Sequence, residues 1–189
     1  MPRWVLGLKV VLAGLLLCGA LFPTVGGFEG KGMAFRLPLF LAPALIVPIH
    51  HAVRRRTEPQ RTYPWALDAG LTIPFLLDTL GNAVGLYDSV DGTDDVLHFA
   101  NWFFLMGGIT TTIGFVATRT TTSPRWLIWL AGTGAGGLAI IGWEIGEYAV
   151  MKAGVGNLSL TYGDTLFDLA LSSAGGALGA WMVTARAEP

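Results

Sequence analysis

Asp94, Asp95, His98, Asn101 and Trp102 fall within about 120° of one another on a helical wheel, one polar face on an otherwise apolar run. Glu144, Glu147 and Tyr148 share about 100° of a second run, and Asp164, Asp168 and Ser172 about 80° of a third. Carboxylates grouped with an imidazole have three chemical uses. They bind a divalent cation, where oxygen ligands suit Mg, Ca or Mn and a His with two carboxylates suits Zn or Fe. Held close, they share protons, which sets a general acid beside a general base for hydrolysis or group transfer on a lipid head group. In transport, the same row of acids with His98 relays protons or passes a cation.

Structural roles compete for the same residues. Asp94, Asp95 and Asp164 open helical runs, where carboxylates cap free N–H groups and complement the helix dipole. A single His in a membrane helix often bridges to a neighbouring helix. Glu144 and Glu147 are different, because they lie near the C-terminal end of their run, where negative charge is unfavourable and a partner is required. The expected cation ligands are Asp95, His98, Glu147, Asp164 and Asp168, with His98, Glu144 and Glu147 as the candidates for proton transfer. Asp78, Asn82, Asn101 and Tyr148 are expected to support them from behind.

The elements that position these groups are read from apolar runs bounded by charges, Gly and Pro. Of 189 residues, 52% are apolar and 13% charged, against roughly 25% charged in soluble domains. The runs cover 4–22, 33–53, 65–87, 95–117, 125–150 and 164–184, each near the ~20 residues that cross a bilayer. The expectation is an all-α, polytopic membrane protein, one domain of six transmembrane helices. Arg3 before an apolar core and the small pair Gly19-Ala20 leave a cleaved signal peptide open for the first run, although its length and the five further runs favour a retained span. Cys18 is the sole cysteine, so no intramolecular disulfide forms.

Basic residues in short loops set the orientation. With both termini cytoplasmic, the inner segments carry Arg3, Arg54, Arg55, Arg56, Arg61, Arg119, Arg125 and Arg186, and the outer ones only Lys31, Arg36 and Lys152, with Lys9 inside the first span. The outer end then receives Glu29, Asp88, Asp91, Asp94, Asp95, Glu144, Glu147, Asp164 and Asp168. A charge at the bilayer centre costs at least ~2.5 kcal/mol on insertion scales, so Asp78, His98, Glu144 and Asp168 are expected to face the bundle interior. Gly132-xxx-Gly136 and Gly175-xxx-Gly179 supply close helix contacts, and Trp4, Trp65, Trp126, Trp129 and Trp181 fit an interfacial belt. His50, His51 and the arginines that follow form a basic segment suited to anionic lipid.

The strings D-D-V-L-H-F-A-N-W-F from Asp94, W-E-I-G-E-Y from Trp143 and Y-G-D-T-L-F-D-L from Tyr162 resemble the YjdF-like bacterial inner-membrane proteins. A looser likeness, through Asp95-x-x-His98-Phe99, runs to the VanZ-like membrane proteins, which are associated with glycopeptide resistance. The likeness covers roughly residues 75–180. It implies a small multi-helix protein of a bacterial plasma membrane and no defined activity. Net charge of −1 excludes a strongly basic nucleic-acid binder. The partners expected are the bilayer and a lipid or cell-envelope substrate, and the cofactor expected is one divalent metal ion. Walker, Gly-x-Ser-x-Gly, His-Glu-x-x-His and Cys-x-x-Cys patterns are missing, which disfavours the familiar ATPases, serine hydrolases and zincins.

Overall fold

The computed structural model describes residues 1–120, 123–154 and 160–186, without the side chains of 118–120, so the expected inner cation Arg119 lies outside the described side chains. The described chain is all helical. α1 (Arg3–Leu21), α2 (Met33–Arg54), α6 (Thr93–Thr120), α7 (Arg125–Lys152) and α8 (Tyr162–Arg186) are each long and apolar enough to cross a membrane. The expected third span, 65–87, instead forms three short pieces, α3 (Trp65–Gly70), α4 (Ile73–Ala83) and α5 (Leu86–Ser89).

Two residues cause that division. Pro74 sits in the first turn of α4 and has no N–H to give the preceding turn, so α3 stops at Gly70. Gly85, at φ 70°, takes the left-handed conformation that separates α4 from α5. By contrast, α2 runs unbroken through Pro38, Pro43 and Pro48. Membrane helices tolerate such prolines because neighbours re-satisfy the freed carbonyls, and Ala44 O does accept a hydrogen bond from Lys9 Nζ.

α1 and α2 are antiparallel. Gly19 near the end of α1 faces Met33 at the start of α2, and Lys9 near the start of α1 reaches Ala44. Leu12, Leu16, Phe28, Met33, Phe40, Ala44 and Leu76 form one buried cluster, so α1 is built into the core. In lipid, which is as apolar as these side chains, the gain comes from van der Waals packing and not from leaving water.

α6 is the hub, packed by α3, α4, α7 and α8. The glycine pairs make this possible. A Cβ at Gly175 or Gly179 would run into the Phe99 or Phe103 carbonyl oxygen, and one at Gly132 or Gly136 into Thr110 or Met106. Both expected pairs therefore face α6 and let its neighbours approach at backbone distance. Trp4, Trp65, Trp126 and Trp181 are exposed as a belt requires. Trp129 departs from it, because its indole N–H donates to Ala177 O of α8 at 3.1 Å.

Candidate functional site

The end of the bundle that carries the starts of α6 and α8 and the last turns of α7 gathers one imidazole and four carboxylates. On α6, Asp94 and His98 are four residues apart and share a stripe, with Asp94 Oδ1 at 3.8 Å from His98 Nε2. From α8, Asp168 Oδ1 approaches the same nitrogen at 3.6 Å. The other ring nitrogen, Nδ1, lies 3.0 Å from the Ser172 hydroxyl, one turn along α8 from Asp168. The glycine stripe holds this arrangement: Asp168, Ser172, Gly175 and Gly179 lie on one face of α8 and press it against α6 at Phe99 and Phe103.

α7 contributes from the other side. Asp94, His98 and Asp168 form one group whose ligand atoms all lie within 4.8 Å of one another, and His98, Glu144 and Glu147 form a second. Donors bound to one ion at about 2.0–2.6 Å stand at most about 5 Å apart, so each set has the reach of a cation site. The burial is deep. Glu144 is 6% and Asp168 2% exposed, and the His98 side chain is 11% exposed. Neither oxygen of Glu144 has a hydrogen-bond partner. Among the described residues, no Lys or Arg stands within ion-pair distance of Asp94, Glu144, Glu147 or Asp168.

Two expected ligands fall outside both groups. Asp95 is exposed and one residue, hence about 100°, around α6 from Asp94, so its neighbour takes the place on the His98 stripe. The Asp-x-x-His spacing is therefore not the pair that the fold uses. Asp164 is exposed in the first turn of α8 and likewise joins neither group. Tyr148 also departs from its expected supporting place: it is 54% exposed, and Lys152 lies over its ring at 5.3 Å.

Asp78 and Asn82 serve a different partner from the one expected. Asp78 binds Arg36 at 2.6 Å, accepts from the Tyr87 hydroxyl at 2.6 Å and from Asn82 Nδ2 at 3.3 Å, while Asn82 also bonds the Asp78 carbonyl. Beside it Lys31 pairs with Asp88 at 2.7 Å. Asp78 still reaches the site's surroundings, because a cavity of about 100 Å³ is lined by Asp78, Tyr87, Asp94, His98, Asn101 and Glu147. Phe40, Phe75, Trp102 and Trp143 wall the same cavity.

A second buried network was not foreseen. The Lys9 ammonium, 7% exposed, donates to Ala44 O, to Asp68 Oδ1 at 2.7 Å and to Thr72 Oγ1 at 3.1 Å, so all three of its protons are used. Tyr63 donates to Asp68 Oδ2 at 2.5 Å. Burial, and then the bond to Asp68, pushes the Tyr63 phenol above its ordinary range. The signal was present in the sequence, since a lysine within an apolar run requires a buried partner.

The class defined here is an all-α protein with at least five helices able to span a membrane and a buried carboxylate and histidine cluster at one end. Comparison with protein-family models, with curated proteins and with solved structures finds no match to this chain.

Proposed function

We propose that this chain is a six-crossing protein of a bacterial plasma membrane, with both termini cytoplasmic, that binds one divalent cation in the outer half of its helix bundle. The observation that carries the reading is Glu144: a carboxylate 6% exposed, both oxygens without a hydrogen-bond partner, within ligand distance of His98 and Glu147. An isolated buried carboxylate is expensive, and a divalent ion neutralises two of them at once. His98, Glu144 and Glu147 are the ligand set, and Asp94, His98 and Asp168 form a second set that shares the imidazole. His98 among carboxylates favours Mn, Fe or Zn over Mg or Ca.

The sixth crossing is supported by the ion pairs on α3–α5. Asp68 near the start of this segment pairs with Lys9 near the start of α1, and Asp88 at its end pairs with Lys31 just before α2. Because α1 and α2 are antiparallel, those partners lie at opposite ends, and residues 65–89 run between them. The excess of arginine on the Lys9 side supports the orientation. Kinship with the YjdF-like proteins remains part of the proposal, on the three strings quoted above.

A second reading is an enzyme acting on a lipid or cell-envelope substrate, of which only a small reacting group would enter the aromatic-walled cavity against His98 and Glu147, since about 100 Å³ holds no lipid chain. Titration of the detergent-purified protein with Mn²⁺, Zn²⁺ and Mg²⁺ tests the first. Saturable, near-stoichiometric binding of a transition ion, lost in Glu144→Gln/Glu147→Gln, is expected. Equal binding by that variant would remove these glutamates from the site.

A further inference from the structure

His98 and the four carboxylates around it are not evenly placed to surround an ion. Glu144 and Asp168 are sealed among α6, α7 and α8, whereas Asp94, His98 and Glu147 form part of the wall of the 100 Å³ cavity. An ion held by His98, Glu144 and Glu147 would have the sealed Glu144 on its inner side and the cavity on its outer side. Cation sites that are closed on all sides are structural; those that keep an open position take an exchangeable ligand there.

The cavity limits what that ligand is. Its volume admits several water molecules and no lipid chain. Among the described residues, the nearby side-chain cations are paired, Arg36 with Asp78 and Lys31 with Asp88, so an anion there would meet the ion together with the cluster's carboxylates and no free Lys or Arg. What the wall does offer is an acceptor. Asn101 lies on the same α6 stripe as Asp94 and His98, and its Oδ1 is buried without a hydrogen-bond partner. The Tyr87 hydroxyl is spent on Asp78. A small neutral donor fits, with Phe40, Phe75, Trp102 and Trp143 lining the rest of the wall.

Resting on the cation reading, we propose that the bound ion keeps one coordination position open to this cavity, filled by a water molecule that donates to Asn101 Oδ1. The site is then an exchangeable one, able to lower the pKa of its water as open metal sites do.

The test uses Mn²⁺ as the ion and the relaxation of bulk water protons as the reading. Full-length protein loaded with one Mn²⁺ is expected to enhance proton relaxation above a water-free Mn²⁺ chelate. Leu105→Phe, which fills the cavity from its apolar wall, should roughly halve that enhancement while Mn²⁺ stays bound. Asn101→Leu should do the same with affinity reduced by about tenfold or less. Wild type that holds Mn²⁺ with the relaxation of a water-free ion overturns this inference and leaves the cation site standing. Wild type that retains no Mn²⁺ overturns the cation reading and this inference with it.

Discussion

His98 Nδ1 and the Ser172 hydroxyl lie 3.0 Å apart, tying α6 to α8 and leaving His98 Nε2 turned toward Asp94 and Asp168. A metal-binding imidazole depends on what its second nitrogen meets, because that contact sets the tautomer and holds the ring. Ser172→Ala should therefore weaken divalent binding about 10- to 100-fold with little change in thermal stability. Ser172→Thr, which keeps the hydroxyl, should restore most of it. Equal affinity in Ser172→Ala and wild type, measured by calorimetric titration, would make the contact incidental.

At the other end, Lys9→Met leaves Asp68 buried without its cation. Breaking one side of a buried pair costs about 3–5 kcal/mol, and apolar replacement of both partners recovers much of that. Thermal unfolding in detergent should rank wild type and Lys9→Met/Asp68→Leu well above Lys9→Met. A single variant as stable as wild type would contradict a structural role for the pair. The pair also makes α1 part of the folded bundle, so removal of residues 1–22 should destabilise the rest at least as much.

Tyr63 gives that network a pH dependence with a definite sign. A group whose folded pKa is raised contributes stability that is intact below its unfolded value, here 10.0, and declines as pH rises beyond it. Melting temperature should fall between pH 9 and pH 12, and Tyr63→Phe should flatten part of that fall. An unchanged slope in Tyr63→Phe would assign the alkaline loss to other groups.

The topology is open to labelling. In a Cys18→Ser background, single cysteines at Glu58 and Asp91 should react with an impermeant maleimide from opposite faces of the membrane, Asp91 from outside. Labelling of both from one face would mean that α3–α5 form a re-entrant segment and that the bundle has five crossings.

Much of this architecture was legible in the sequence because bilayer spans declare themselves by length and polarity. α1, α2, α6, α7 and α8 each overlap an expected run, and both glycine pairs face a neighbouring helix. In the third run Pro74 points to a kink, but the division into three helices at Pro74 and Gly85 was not legible, because the run as a whole stays apolar enough to read as one span. At the site, helical period brought His98, Glu144, Glu147 and Asp168 to one level. It could not choose between adjacent Asp94 and Asp95, since that depends on how far α6 rotates when α8 packs on it at Gly175. Nor could it see that Arg36 would take Asp78, because long-range pairing of single charges leaves no periodic trace.

If Glu144 and its neighbours hold a divalent ion, the ion should stay with the purified protein. The most direct measurement is elemental analysis of the purified protein after loading with Mn²⁺ or Zn²⁺ and exhaustive dialysis, with Glu144→Gln/Asp168→Asn treated alongside and checked for folding. Wild type is expected to retain about one ion per chain and the variant none. A wild type that emerges metal-free, with a variant equally stable, would contradict it and leave the carboxylates to share protons instead.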